Sequence, residues 1–216
     1  MSRNPPHVYT PSCQVIGATH ADGLANILKE HVNLALWLRP LSPAIAHEVA
    51  SLEPAAFPDV RCPISPDSLE DDVAALFRGQ GLDPRGSPHW VQDIRELATL
   101  FQSLAGARPV TLRLETTDGD GCRRFHVDRT RLRLLCTYRG PGTEWLRNEQ
   151  VDRHALAHFK PNEDILRHGA PGRFEPFWVG VMKGELFPGN AGNALVHRSP
   201  PVAGTDRTRV LMCLDC

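Results

Sequence analysis

In the stretch FHVDRTRLRLLCTYRGPGTEWL, residues 125–146, His126 and Asp128 stand one residue apart, just ahead of a run that reads as a strand. On an extended chain residues i and i+2 share a face, so this imidazole and carboxylate can project together from a strand end. Far downstream, LVHRSPP holds His197, and TDRTRVLMCLD holds Arg207 and Arg209. Two neutral imidazoles and one ionised carboxylate occupy one face of an octahedral metal and leave the rest open, which suits non-haem Fe(II) oxygen chemistry. An arginine fork binds a carboxylate at two points, which lysine does less well. Arg207 and Arg209 share strand parity, and the sequence does not choose between them.

Simpler readings stand beside these. His126 and Asp128 alone fit a strand end with a local hydrogen bond, and the two arginines fit a charged edge strand that discourages aggregation. The same ligands also hold zinc, which outcompetes iron by intrinsic affinity. A non-catalytic protein binding zinc or another divalent ion is therefore the second reading, and a cupin-like module with a degenerate site the third. His154 and His158 in HALAH have the i, i+4 spacing of a helical zinc pair but lack the glutamate of a zinc protease. Cys213 and Cys216 form a lone C-x-x-C, a weak zinc or redox signal.

The elements that must position these residues divide near residue 107. SPHWVQDIRELATLFQSLAG predicts a helix capped by Ser87 and stopped by Gly106, with Trp90, Ile94, Leu97, Phe101 and Leu104 on one face. GLANILKEHV, SPAIAHEVASL and PDSLEDDVAALFRG read as further helices, the last with Ser68 and Asp71 at capping-box spacing. NLALWLRP reads as a buried strand, and EPAAFPDVRCPISPD as a Pro-rich connector. Beyond residue 107, PVTLRLET, CRRFH, LRLLCTY, FEPFWVGVMKG, ALVHRSP and TRVLMCLDC read as short strands between Gly and Pro turns. The expected fold is α+β: residues 1–106 a mainly helical extension with one strand, and residues 107–216 a jelly-roll or cupin-like β core with the helices packed on one sheet.

His-x-Asp, a distal His and an Arg on the last strand together resemble the Fe(II)- and 2-oxoglutarate-dependent dioxygenase superfamily, whose fold is a double-stranded β-helix. RLLCTYRGPGTEWL and LVHRSPP also look like signature segments of an uncharacterised bacterial family, domain of unknown function 1826. The resemblance implies that His126, Asp128 and His197 are ligands of Fe(II), and that Arg207 or Arg209 binds the far carboxylate of 2-oxoglutarate. Tyr138 and Thr137 fall where superfamily members place a polar co-substrate contact. Glu144, in the Gly-rich GPGTEW, is read as a pocket wall. Arg198, directly after the distal His where many members carry small or apolar residues, is a candidate substrate contact.

Bulk properties narrow the rest. The 216 residues suffice for one good core, and 24 Lys plus Arg against 25 Asp plus Glu create no field that would attract nucleic acid or an anionic membrane. No Walker loop, G-x-S-x-G elbow or G-x-G-x-x-G after a strand supports nucleotide, esterase or dinucleotide chemistry. The N-terminus lacks a leader pattern, no apolar run has the length of a membrane span, and six irregularly spaced Cys read as reduced thiols. The expected setting is the cytoplasm, with a small-molecule co-substrate as partner.

Overall fold

The computed structural model describes residues 14–106 and 108–216. Cys13 and the rest of the N-terminal segment read above for a leader pattern lie outside these residues. Ten strands are described: β1 (Gln14–Ala18), β2 (Val32–Trp37), β3 (Val60–Ile64), β4 (Val110–Thr117), β5 (Leu132–Arg139), β6 (Glu144–Leu146), β7 (Gly172–Arg173), β8 (Val179–Lys183), β9 (Val196–Arg198) and β10 (Arg209–Asp215). Seven form a major sheet in the order β1-β2-β8-β5-β10-β4-β3, and three a minor sheet in the order β7-β6-β9. Neighbours run antiparallel except β1 and β2.

The middle strands of the major sheet are buried on both faces, and the strand period of two decides what each face does. On β5, Leu134, Cys136 and Tyr138 turn to the helices, where they meet Trp90, Ile94, Leu97 and Phe101 in the main core. Leu135 turns the other way and joins Leu211, Cys213, Leu34 and Met182 against Trp145 of β6 and Phe174. This second cluster is the barrel interior between the two sheets.

The helices are α1 (Pro43–Ala50), α2 (Leu69–Gly79) and α3 (Pro88–Ala105), with two short turns, α4 (Arg153–Ala157) and α5 (Asn162–Ile165), in the long polar connection. The apolar stripe of α3 is buried as its periodicity requires. Its first turn is satisfied differently from the expected Ser87 cap. The carboxylate of Glu48, on α1, accepts from His89 N at 3.1 Å and Trp90 N at 2.7 Å, tying two helices together at a positive helix end. Ser68 likewise makes no cap bond; its hydroxyl donates to Asp72 at 2.8 Å.

Two expectations about strands are corrected. Residues before 107 supply three strands rather than one, and all three lie in the major sheet. The segment VRCPI inside the Pro-rich connector is β3, and Pro63 is tolerated because β3 is an edge strand, where a missing donor does no harm. CRRFH is not a strand: its one ladder contact is the bridge from His126 to His197.

Burial alone would raise the Glu48 carboxyl, but the Trp90 and His89 donors outweigh it and hold it below its ordinary value. A carboxyl lowered by folding stabilises the fold above its unfolded value and loses that contribution as pH falls through the folded one. Glu48→Ala is therefore expected to cost about 1–2 kcal/mol at neutral pH. The difference from wild type should shrink on acidification, which urea unfolding at a series of pH values will read.

Candidate metal centre

His126 lies on an irregular segment between β4 and β5, and His197 on β9. Their backbones exchange two hydrogen bonds, each 3.0 Å, which sets the imidazoles side by side with ring centroids 4.5 Å apart. Each Nδ1 is bound to a carbonyl two residues earlier, His126 to Arg124 O at 2.8 Å and His197 to Leu195 O at 3.2 Å. A carbonyl can only accept, so Nδ1 carries the proton and Nε2 presents its lone pair. Both Nε2 atoms turn to Asp128, at 3.8 Å from Oδ1 for His126 and 3.2 Å from Oδ2 for His197. One ligand atom from each of the three residues lies within 4.8 Å of the other two.

Asp128 is fixed from behind by the turn after β8. Glu185 N donates to Asp128 O at 2.9 Å and Leu186 N to Thr130 O at 3.0 Å. A Cβ on Gly184 would stand 2.2 Å from Thr130 O and 2.8 Å from Asp128 O, so only glycine lets this turn close beneath the carboxylate.

The charge state matches the donor set. Burial opposes ionisation of Asp128, but His197, Arg133 and His126 outweigh it and hold the carboxyl far below its ordinary value. Burial, then the neighbouring His197, lowers His126 and favours its neutral form. Asp128 Oδ2 is buried with no well-directed hydrogen bond, although Arg133 lies 2.6 Å away. Two imidazole nitrogens and an ionised, under-satisfied carboxylate oxygen are a donor set that suits a divalent ion such as Fe(II) or Zn(II).

The three residues line one end of a cavity of about 410 Å³ that also takes in Leu135, Leu211, Thr143, Ser199 and Arg209. Arg209 is only 3% exposed, and its guanidinium donates to Pro141 O at 3.0 Å, Ser199 Oγ at 3.3 Å and Thr143 Oγ1 at 2.9 Å. Among the described residues no carboxylate lies within ion-pairing distance of it. Burial pulls it down to about 10, against the pull of Glu115. Thr137, opposite Leu211 on β5, shares this inner face, and its hydroxyl is buried without a partner.

The family of proteins of unknown function DUF1826 matches residues 18–215. The chain belongs to the DUF1826 family. Among solved structures, it is similar to dioxygenase for auxin oxidation 1 from Arabidopsis thaliana in its binary complex with 2-oxoglutarate, at 9% identity and a TM-score of 0.52, covering 94% of this chain and 91% of that one. It is also similar to the rice dioxygenase for auxin oxidation, at 15% identity and a TM-score of 0.48 over 94% and 82% of the two chains. The first of these likenesses carries the fold: this DUF1826 chain is an α+β double-stranded β-helix. A search of curated proteins finds no match.

Four residues expected at the site of this DUF1826 member lie elsewhere. Tyr138 is one residue from Thr137 and so faces the opposite side of β5, where its hydroxyl donates to Asp93 at 2.7 Å inside the helix-facing core. Arg207 precedes β10 and is exposed, away from the triad's cavity, because the strand begins only at Arg209. Glu144 and Arg198 pair with each other on the outer face of the minor sheet, since Trp145 and His197 take the inner one. There Glu144 is clamped between Arg173 at 2.5 Å and Arg198 at 2.7 Å and walls no part of the triad's cavity. The residue after Arg198, Ser199, is the one that reaches inward. His154 and His158 stack on α4, with no third ligand in any group found among the described residues. Cys213 is buried in the barrel interior, its thiol pushed up to about 12 by burial, and it is unpaired, as are Cys62, Cys122, Cys136 and Cys216.

Arg133 was missed in the sequence. It bridges Asp128 to Asp215 of β10, binding the latter at 2.5 and 2.8 Å. Its signal was present: an arginine on the same strand parity as Thr137, inside a run otherwise apolar on both faces. Removing it strands two carboxylates. Arg133→Met is expected to cost about 2–3 kcal/mol in denaturant unfolding, less than the ~3–5 kcal/mol of a fully buried pair, because solvent still reaches 12–21% of the three side chains.

Proposed function

We propose that this protein is a non-haem Fe(II)- and 2-oxoglutarate-dependent oxygenase that hydroxylates or demethylates its substrate. The observation that carries this is Arg209: a guanidinium buried without a carboxylate partner, in the same cavity as two imidazoles and an ionised aspartate. A buried cation with only neutral acceptors favours an anionic ligand. A dicarboxylate with a 2-oxo acid at one end fits both ends of such a cavity.

In this reading His126, Asp128 and His197 hold Fe(II), which when bound supplies the activation of dioxygen that oxidises 2-oxoglutarate to succinate and carbon dioxide and the substrate by one oxygen atom. The protein's own residues do the positioning. Arg124 O and Leu195 O keep both imidazoles in the tautomer whose Nε2 offers its lone pair. Arg133 holds Asp128 ionised and oriented. Arg209 binds the far carboxylate, with Ser199 and Thr143 locking its fork in place and the Thr137 hydroxyl free on the same face. Leu135 and Leu211 keep the floor between the two ends apolar, which strengthens each charged contact. Unpaired cysteines suit a reducing compartment, and we place the protein in the cytoplasm. No described helix is long and apolar enough to cross a membrane.

Anaerobic protein loaded with Fe(II) is expected to develop a metal-to-ligand charge-transfer band when 2-oxoglutarate is added, and His126→Ala should abolish it. Arg209→Met should keep metal binding while weakening 2-oxoglutarate by roughly 30- to 100-fold, the worth of a charge-assisted two-point contact. Metal binding with neither the band nor succinate formation would replace this reading with that of a non-catalytic zinc or divalent-ion protein.

A further inference from the structure

His126 is a wall shared by two cavities. One is the polar chamber that ends at Arg209. The other opens on its far side as a cleft of about 690 Å³, between the segment leading to Asp128, the α4 turn and the turn after β8. Its lining is mainly apolar: Phe125, Val127, Leu156, Phe159 and Leu186 contribute, beside the charged Arg129, Arg153 and Glu185.

Phe159 is 80% exposed and Leu186 55% exposed, two of the five large hydrophobic side chains left in solvent among the described residues, and both stand on this cleft. Phe159 is held at φ 54°, a left-handed conformation that a bulky side chain adopts only under constraint. The constraint is visible. Phe159 N donates to Leu156 O at 3.1 Å, Lys160 N to Ala155 O at 3.0 Å, and the Arg124 guanidinium binds the carbonyl of Phe159. Arg124 O is also the acceptor that orients His126. One residue thus links the strained aromatic turn to a candidate metal ligand.

We infer that this cleft is the substrate subsite, and that the substrate is a small molecule presenting a hydrocarbon group, an alkyl chain or aryl ring, to the His126 side of the metal centre. The inference rests on the oxygenase reading above and names the class of molecule it acts on. Exposing Phe159 at a strained turn and Leu186 on the turn after β8 costs stability, and covering both from water is what a hydrocarbon ligand would return. The cleft's volume falls in the range of small-molecule sites, which favours such a ligand over an extended polypeptide surface. His126 lines both cavities, so a group bound in the cleft lies beside a candidate ligand of the centre, while the polar chamber stays available to the co-substrate.

The test is a displacement series. Straight-chain 1-alkanols from butanol to octanol are titrated against 8-anilinonaphthalene-1-sulfonate bound to the full chain. Each added methylene is expected to tighten binding about fourfold, as for burial of one CH₂. Phe159→Ser combined with Leu186→Ser should weaken octanol at least tenfold while leaving metal affinity unchanged, since both side chains are exposed and neither touches a ligand. In Mn(II)-loaded protein the octanol proton signals should broaden relative to the Zn(II)-loaded form. No dependence on chain length, or an unchanged affinity in the double variant, overturns the inference. Binding without broadening in protein shown to hold Mn(II) places the cleft apart from the centre and overturns it too. Absence of the 2-oxoglutarate charge-transfer band sinks the oxygenase reading instead, and the alkanol series then still decides whether the cleft takes hydrocarbon. A chain that holds no divalent ion at His126, Asp128 and His197 overturns both.

Discussion

Everything at the centre depends on the pairing of β5 with β10. Two antiparallel strands in the middle of a sheet, buried on both faces, must divide their side chains between two interiors, and the pleat does this with a period of two. Leu134, Cys136 and Tyr138 go to the helices; Arg133, Leu135 and Thr137 go to the barrel. The register then sets Asp215 opposite Arg133, and Leu211 opposite Thr137, with Arg209 at the far end of the same face. A slip of one residue would send Arg133 and Arg209 into the aromatic core and turn Tyr138 towards the cavity. Register on this face is therefore also the condition for an ordered site.

The minor sheet completes what β5 and β10 begin. Of the three triad residues only His197 belongs to a strand, β9; His126 is drawn beside it by a reciprocal bridge, and Asp128 is held by backbone donors from the turn after β8. Backbone hydrogen bonds of this kind are stiff and do not depend on side-chain rotamers. Three candidate ligands from two segments of the chain converge because each segment is tied through its main chain to a neighbour.

Much of this was legible in the sequence, and what was not has identifiable causes. The His-x-Asp pair and the apolar stripe of α3 are local patterns, readable from spacing, whereas His197 comes from far downstream and only the bridge to β9 brings it beside His126. The choice between Arg207 and Arg209 was not local, since both have the same parity and only the pairing of β10 with β4 and β5 determines where the strand begins. Tyr138 and Thr137 could not both have been co-substrate contacts, and strand parity alone already separated them. Glu144 was read as a pocket wall because it follows the Gly-rich GPG, and β6 at three residues is too short for alternation to show which face Glu144 takes. Pro63 hid β3 for a similar reason: a proline argues against a strand unless it is an edge. The Arg133 bridge depends on two strands some 80 positions apart in the chain, a distance that no periodicity within one segment spans.

Three arginines of the major sheet and its border, one buried and two largely so, show what each interior demands. Arg39, against the helix-facing core, has the Asp93 carboxylate at 2.5 and 2.9 Å. Arg133 has two carboxylates, Asp128 and Asp215. Arg209 is the least exposed of the three and has none, only a carbonyl and two hydroxyls. Desolvating a guanidinium costs several kcal/mol unless an anion compensates it, and for Arg39 and Arg133 this fold supplies that anion from its own chain. At Arg209 the hydrogen-bonding partners are all neutral: they hold the fork in one orientation, and Glu115 acts on it only from beyond ion-pairing distance. An arginine so arranged is worse for folding than a paired one and better for binding, because an arriving carboxylate meets a cation already desolvated and already oriented. The cost falls on stability, and the gain appears only when the cavity is filled.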